Sequence, residues 1–460
     1  MNPEGRLLTD NPLLRRLLIS RWPQWLVGAT ALAVFTYLAL AGIAGTPVGN
    51  RNLAITLVWI AWWGALILIL VPVGGRLWCS ICPLPLPGEW AQRGGLMQAD
   101  GRRQLGLGRR WPRRWRNLWL QNIGFLALAI FSAPILTLPR ATAWLLIALV
   151  VIALAVSLLF ERRSFCRYLC PVGGFIGLYS LLSPLALRVK DPQVCRTHPT
   201  KDCYRGNALG HGCPWQVYPG TLNRNANCGL CLECLRTCPL DNVALVWRPG
   251  QSDLAAGPGR RPLHMDEVFK GAIMLAAALV YSAVMLGPWG ALKAAAFNVF
   301  SAEWFTYVGG LLVLALVVVP GVLALAASIG ARLDPSGLLR GREGIRRAAA
   351  GLIPLGLGAW VAFSLGFVFA NGSYVLNALS DPLGWGWDLF GLSNLAWRPA
   401  LTGITPLLQG FALIAGLAGA AYITFKEVLH TDRTIRSSLA SVPVLTFYAL
   451  CGAALMVILS

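Results

Sequence analysis

The residues of this 460-residue chain that could do chemistry are its cysteines, and eleven of the twelve lie between Cys79 and Cys238. The strongest motif is the run Cys228-Gly-Leu-Cys231-Leu-Glu-Cys234-Leu-Arg-Thr-Cys238-Pro. Its C-x2-C-x2-C-x3-C-P spacing is typical of cysteines that ligate iron–sulfur clusters. The first three thiolates can bind one cubane, and the fourth serves another cluster. The alternatives are a zinc site, which favours cysteine pairs set further apart, and inert buried thiols.

A less regular first half lies upstream of this run. Cys213 is followed by Pro214, as the last cysteine of a first ferredoxin half would be. By the pseudo-symmetry of two-cluster ferredoxins, Cys213 would complete the cluster held by the first three cysteines of the run. Cys238 would then join Cys195 and Cys203 in a second [4Fe-4S] cluster.

That second cluster would lack one thiolate ligand. His198 lies three residues after Cys195, where a C-x2-C pair would have its second cysteine. Histidine can ligate iron in such clusters and raises their reduction potential, so His198 is the first candidate and His211 the second. The alternative is that both histidines are exposed loop residues, and that the second cluster has three irons or is absent.

A second type of cysteine motif occurs twice, 87 residues apart. Each copy has an arginine, one residue, an aromatic residue, a cysteine and then a Cys-Pro pair, as in Arg76-Leu-Trp-Cys79-Ser-Ile-Cys82-Pro and Arg163-Ser-Phe-Cys166-Arg-Tyr-Leu-Cys170-Pro. Each follows a predicted two-span hairpin, which indicates an internal repeat. The four thiols could bind a metal, form a redox disulfide or receive electrons from the clusters. Alternatively they are simply packed, since free cysteine behaves as a small buried apolar residue.

The elements that must position these motifs are membrane helices. The chain is 56% hydrophobic and 13% charged, against about 25% charged residues in soluble domains. Apolar blocks of about 20 residues are long enough to cross a bilayer. Nine spans are predicted, at 25–45, 53–73, 118–138, 141–160, 268–286, 308–329, 348–369, 406–425 and 442–459. The shorter segment 172–187 is predicted to be an interfacial or re-entrant helix.

The composition divides the chain into three predicted domains. Residues 1–186 form a membrane domain that carries the duplicated Cys-Pro motifs, and 263–460 form a second membrane domain. Between them, 187–262 is polar and rich in cysteine, and a domain this small usually needs a metal to be stable. The predicted fold class is therefore an α-helical polytopic membrane protein with a small α+β ferredoxin-like insert.

The net charge of +20 indicates orientation in a membrane rather than nucleic-acid binding. The basic residues concentrate in short loops between apolar blocks, above all eight arginines between Arg93 and Arg116. Such loops stay on the cytoplasmic side of a membrane. With nine spans, this rule predicts that the N-terminus and the cysteine-rich insert are also cytoplasmic.

Residues 53–246 resemble the membrane polyferredoxins, the NapH-, NosR- and FixG-like 4Fe-4S binding membrane proteins. The similarity rests on the two Cys-Pro motifs at span ends and on the run from Cys228 to Cys238. It implies a bacterial inner-membrane protein that transfers electrons between a quinone or cytoplasmic donor and a partner redox subunit. It also implies membrane lipid as the surroundings. One departure is the first motif, which is C-x2-C-P where the family usually has C-x3-C-P.

Two other functions fit parts of the sequence. The duplicated thiols could bind or reduce copper for the assembly of another metalloenzyme. A transporter is disfavoured, because no predicted span has an acidic residue or lysine near its centre, the usual mark of an ion path. Since no catalytic constellation is evident, an electron-transfer subunit is expected rather than a free-standing enzyme.

Overall fold

The computed structural model describes residues 5–93, 105–255, 262–333, 338–429 and 435–459. The chain forms two compact units that alternate along the sequence. The first unit comprises Met1–Leu40, Ile69–Gln121 and Ala143–Asp253, and the second comprises Ala41–Leu68, Asn122–Thr142 and Leu254–Ser460. All eleven cysteines of the predicted motifs lie in the first unit. The predicted domain bounds stay a prediction, and residues 94–104 of the basic loop and 256–261 of the insert lie outside the described residues.

Eight helices in the described part of the chain are long and apolar enough to cross a membrane, which confirms a helical, multi-pass architecture. Each corresponds to a predicted span. They are Trp22–Ala44, Leu53–Gly74, Pro139–Leu159, Met265–Met285, Ala302–Leu333, Gly341–Ser380, Thr405–Glu427 and Ser438–Leu459.

The predicted span 118–138 is not one continuous helix. It consists of Trp119–Ile130 and Ser132–Thr137, which are separated at Phe131. Pro134 explains the break, because proline has no N–H to donate to the carbonyl of Ile130 and its ring clashes with that carbonyl. The order of these elements was predicted correctly, but the helix is interrupted.

The segment predicted to be interfacial or re-entrant forms the short helix Pro171–Tyr179 and the 3-10 turn Ser180–Leu182. Nearly all of these residues are buried inside the first unit. Pro171 at the first helical position and Cys170 as the N-terminal cap start the helix, because proline fits this position without losing a hydrogen bond. The helix is thus a core element directly behind a cysteine motif.

A small antiparallel sheet supports the cysteine-rich insert. Its strands are β1 (Arg6–Leu7), β2 (Leu185–Val189) and β3 (Val243–Trp247), in the order β1-β3-β2. In β2 and β3, Leu185 pairs with Trp247 and Val189 with Val243. Four of the five residues of β3 are buried, as expected of a strand covered on both faces. The contribution of β1 was not anticipated.

The remaining helices are shorter. The first, Pro12–Ile19, starts at Asn11, whose side-chain oxygen accepts hydrogen bonds from the N–H groups of Leu13 and Leu14, an N-cap that offsets unpaired helix donors. The others in the first unit are Leu77–Ile81, Leu86–Arg93, Ser164–Tyr168, Pro192–Thr197, Asp202–Arg205 and Glu233–Thr237, and Gly290–Phe297 belongs to the second.

One span carries a buried charge that the sequence analysis did not single out. Lys270 is fully buried about one turn inside the helix Met265–Met285. Lys270 lies near the end of that span and not near its centre. The argument against a transporter, which rests on charges near span centres, is therefore unaffected.

A buried carboxylate fixes the end of the first unit. The side chain of Asp253 is fully buried and forms ion pairs with Arg188 at 2.8 Å and Arg248 at 2.6 Å. Its other oxygen accepts a hydrogen bond from the N–H of Asn225 at 2.6 Å. The Asn225 side chain in turn donates to the carbonyl of Leu185 in β2. This network ties the sheet to the loop before the ferredoxin run.

We predict that Asp253→Asn destabilises the protein by about 3–5 kcal/mol, because it leaves two buried guanidinium groups without a counter-charge. Thermal unfolding of the protein in detergent measures the effect. The matched control is Asp241→Asn, since Asp241 also pairs with two cations but is 51% exposed and such pairs contribute about 0–1 kcal/mol. Equal unfolding midpoints for the two variants would contradict the prediction.

Candidate functional site

The structure brings together the cysteines of the first predicted cluster. Burial and then the nearby Cys213 raise the pKa of the Cys231 thiol. Burial also raises the pKa of Cys228 to about 11, with Cys213 adding to the rise. Burial and then Cys231 and Cys228 raise the pKa of Cys234. Repulsion of this kind indicates that the four thiols lie within electrostatic range of one another. Their assignment as the ligands of one cluster stays a prediction.

The loop that holds this group has an unusual backbone. Leu230 and Leu232 have φ angles of 50° and 63°, in the left-handed region that disfavours residues with a Cβ. These two residues flank Cys231 in the run. Such conformations persist where the surroundings impose them.

The cysteines of the second predicted group also influence one another, although Cys203 is influenced by Cys213 of the first group as well. Burial raises the pKa of Cys203 to about 12, and Cys238 and Cys195 raise it in turn. Asn242, which the sequence analysis missed, binds two of these sulfurs. Its backbone N–H donates to Cys238 Sγ at 3.3 Å, and its side-chain Nδ2 donates to Cys195 Sγ at 3.2 Å.

The structure does not assign a fourth ligand to the second group, and His198 stays a prediction. His198 lies just after the helix that carries Cys195, is partly buried, and its Nε2 is 3.1 Å from Thr200 Oγ1. The neighbouring Tyr218 donates a hydrogen bond to the Cys195 carbonyl at 2.5 Å. Burial, followed by the surrounding thiols, raises the pKa of the Tyr218 phenol to about 12.

His211 lies in a different environment. Its backbone N–H donates to Glu233 Oε2 at 3.3 Å. Burial and then the cation of Arg93 lower its pKa to about 4. The imidazole is therefore neutral at physiological pH, and the His211 backbone is bound to Glu233.

The duplicated Cys-Pro motifs form a third group of thiols, which we call the edge thiols: Cys79, Cys82, Cys166 and Cys170. Burial raises the pKa of Cys82, and Cys170 and Cys79 raise it further. Burial and then Cys170 also raise the pKa of Cys166. The internal repeat thus brings its two copies to one place, as expected for a shared site.

Backbone donors and short helices shape this third group. Burial raises the pKa of Cys170 to about 11, and the N–H of Gly173, 3.2 Å from the sulfur, opposes the rise. A Cβ at Gly173 would lie 3.0 Å from the Cys166 carbonyl oxygen, so glycine permits the close approach. Donors aimed at a sulfur stabilise its thiolate form.

The arginines that open the two copies are both buried. Arg163 forms a two-point ion pair with Glu89, at 2.6 and 2.8 Å, and also donates to the Cys79 carbonyl at 2.7 Å. Burial would raise the pKa of Glu89, but Arg163 and then Arg93 lower it to about 2. Arg163 thus links the two copies. Arg76 stacks on the indole of Trp215, 4.6 Å from the ring centroid.

The chemistry of the three groups fits iron–sulfur clusters, because cysteine thiolates are the usual ligands of such clusters. All twelve cysteines are free thiols. In the described ranges, no three Cys, His, Asp or Glu side chains lie close enough to hold one ion. Four thiolates on one zinc would be about 4 Å apart, because each Zn–S bond is about 2.3 Å. A cubane binds one thiolate at each of four irons and so holds its ligands further apart.

The fold and the site define a helical membrane-type protein with buried cysteine groups suited to iron–sulfur clusters. The family described as "4Fe-4S binding domain" matches residues 55–114 and 142–190. These segments contain all four edge thiols. They end at residue 190, so they include none of the cysteines of the ferredoxin-like insert. The segments that match this family are therefore the ones that carry the duplicated Cys-Pro motifs.

Two curated proteins are similar to parts of the chain. It is 32% identical over 92 residues to "Putative electron transport protein YccM" of Escherichia coli K12, which is 20% of this chain and 23% of that protein. It is 29% identical over 183 residues to "Methylamine utilization ferredoxin-type protein MauN" of Paracoccus denitrificans, 37% of this chain and 59% of that protein. No solved structure matches. Although less than two thirds of either relative is covered, these matches confirm the resemblance to membrane polyferredoxins.

We predict that Asn242→Asp lowers the reduction potential of the second cluster. The change replaces an N–H donor to Cys195 Sγ by a carboxylate, and a hydrogen bond to a charged group contributes about 1.5–3 kcal/mol. The reduced cluster carries more negative charge than the oxidised cluster, so the new carboxylate destabilises the reduced form more. A potentiometric titration followed by EPR measures the shift. Asn223→Asp, at an exposed position of the same unit, should leave the potential unchanged, and a similar shift in both variants would contradict the role of Asn242.

Proposed function

We propose that this chain is a membrane-bound electron-transfer protein with three cysteine-ligated iron–sulfur centres. The observation that carries the proposal is that eleven cysteines lie in one unit, and that four of them, the edge thiols, lie in the segments that match the 4Fe-4S binding domain. The names of both relatives, an electron transport protein and a ferredoxin-type protein, support the same chemistry.

The proposed ligands follow the three groups. One cluster is bound by Cys213, Cys228, Cys231 and Cys234, and one by the edge thiols. The third is bound by Cys195, Cys203 and Cys238, with His198 as the proposed fourth ligand. When bound, such clusters accept and release single electrons without moving heavy atoms.

The surroundings of the clusters suggest how electrons enter and leave. The insert is polar and carries two of the groups, whereas the edge thiols follow directly after two apolar helices of spanning length. We propose that electrons pass between a cytoplasmic or quinone donor and a partner redox subunit in the bacterial inner membrane, with the insert on the cytoplasmic side. The basic loops between spans support this orientation.

Serine variants in protein purified without oxygen test the proposal. Cys79→Ser with Cys166→Ser, one change in each copy of the repeat, should remove one cluster signal from the EPR spectrum and about four iron atoms per chain. Cys231→Ser with Cys234→Ser should remove a different signal. The control is Cys451→Ser, which changes the lone cysteine in the helix Ser438–Leu459 and should preserve both iron and spectrum.

Two results would contradict the proposal. Protein without iron and acid-labile sulfide would exclude electron transfer through clusters. Full iron content in the Cys79/Cys166 variant would exclude a cluster at the edge thiols. If the native protein instead bound copper at these thiols, the metal-handling alternative would be favoured.

A further inference from the structure

Arg76 is a buried arginine whose side chain forms no ion pair with a carboxylate in the described part of the protein. Its side chain is buried, with the residue 4% exposed. Within the described chain, its Nε and Nη1 have no hydrogen-bond partner. A Cβ at Gly177 would lie only 2.0 Å from Nη2, so the guanidinium lies directly against the backbone of the short helix Pro171–Tyr179.

The position of Arg76 links two of the thiol groups. The helix that its guanidinium contacts at Gly177 is capped at its N-terminus by Cys170, one of the edge thiols. Its stacking partner Trp215 contacts Gly229, which follows Cys228 in the ferredoxin run. The cation therefore lies near both thiol groups.

Trp215 connects Arg76 physically to the ferredoxin run. The indole is fully buried and stacks under the guanidinium. On its other side it lies against Gly229, where a Cβ would be 1.8 Å from the indole Nε1. Only glycine leaves room for this contact next to Cys228. The arrangement holds the guanidinium at a fixed place through stacking rather than through a carboxylate.

The second copy of the repeat provides the contrast. Arg163 occupies the equivalent position and is neutralised by the two-point ion pair with Glu89. A buried charge without compensation is costly, by several kcal/mol per ion. Among the described residues, Arg76 has two buried nitrogens without a hydrogen-bond partner and no equivalent carboxylate bond, so a nearby anion would offset its charge. The centres proposed at the two thiol groups would supply that negative charge.

We propose that Arg76 is a positioning residue that sets the reduction potentials of two centres at once, the one at the edge thiols and the one at Cys213, Cys228, Cys231 and Cys234. This inference rests on the proposed function. One electron added to either centre adds one negative charge, which the buried cation stabilises without any proton transfer. Because the cation lies near both centres, it raises both potentials.

The test is a potentiometric titration of the whole protein in detergent, with dithionite as the one-electron reductant and EPR as the readout. The serine variants described above assign the signals. Arg76→Gln keeps the size and some donors but removes the charge. We expect it to lower the midpoints of both centres by at least a tenfold change in the reduction equilibrium, about 59 mV for one electron. The centre of Cys195, Cys203 and Cys238 should keep its midpoint.

Two variants serve as comparisons. Arg76→Lys retains the charge, so both midpoints should stay within that tenfold range of the native values. Arg110→Gln removes one positive charge from an exposed position of the same unit. It should change none of the three midpoint potentials. If Arg76 had a purely structural role, Arg76→Gln would change the iron content or the unfolding temperature, but it would not shift the two midpoints together.

The outcomes separate this inference from the proposed function. If the native protein shows all centres and Arg76→Gln leaves both midpoints unchanged, the inference is wrong and the proposed function stands. If the native protein has no centre at the edge thiols, both are wrong. If Arg76→Gln loses iron, Arg76→Lys decides, because midpoints lowered in that charged variant would overturn the inference and native-like midpoints would support it.

Discussion

The packing of eleven thiols into one unit is the constraint on which the rest of this structure depends. Burial and mutual proximity both raise the pKa values of these thiols, and a buried thiolate is stable only beside a positive charge or a metal. Basic groups and backbone donors therefore surround them. Arg163 bridges the repeat copies, Asn242 donates to two sulfurs, and the N–H of Gly173 points at a third.

Two apolar helices position the cysteines of the duplicated motifs. The helices Leu53–Gly74 and Pro139–Leu159 each end just before a Cys-Pro motif, so the internal repeat delivers two pairs of cysteines to a common site. In each motif a proline follows the last cysteine. In the second copy this proline starts a buried helix, because it tolerates the first helical position and fixes its φ angle. The small sheet then supports the insert, and β2 continues the chain directly from that helix.

The sequence predicted the features that depend on local spacing and composition. The long spans followed from apolar length, and the duplicated Cys-Pro motifs that the spacing singled out lie in the segments that match the 4Fe-4S binding domain. The grouping of Cys213 with the ferredoxin run, and of Cys238 with Cys195 and Cys203, stays a prediction. Features that depend on distant contacts could not be predicted. Asn242 has no motif of its own, and β1 has only two residues. Pro134 was a visible signal for the broken helix. The role of the repeat arginines needed the fold, because the motif marks Arg76 and Arg163 but does not show that both are buried or which of them is paired with a carboxylate.

The central claim is that this chain holds three iron–sulfur centres, one of them at the edge thiols. The most direct measurement is the iron and acid-labile sulfide content of native protein purified without oxygen, combined with Mössbauer spectroscopy to identify the cluster types. Three cubanes give about twelve iron atoms per chain, or about eleven if the third centre has three irons. About eight or fewer, with no cubane lost when Cys79 and Cys166 are changed, would contradict the account.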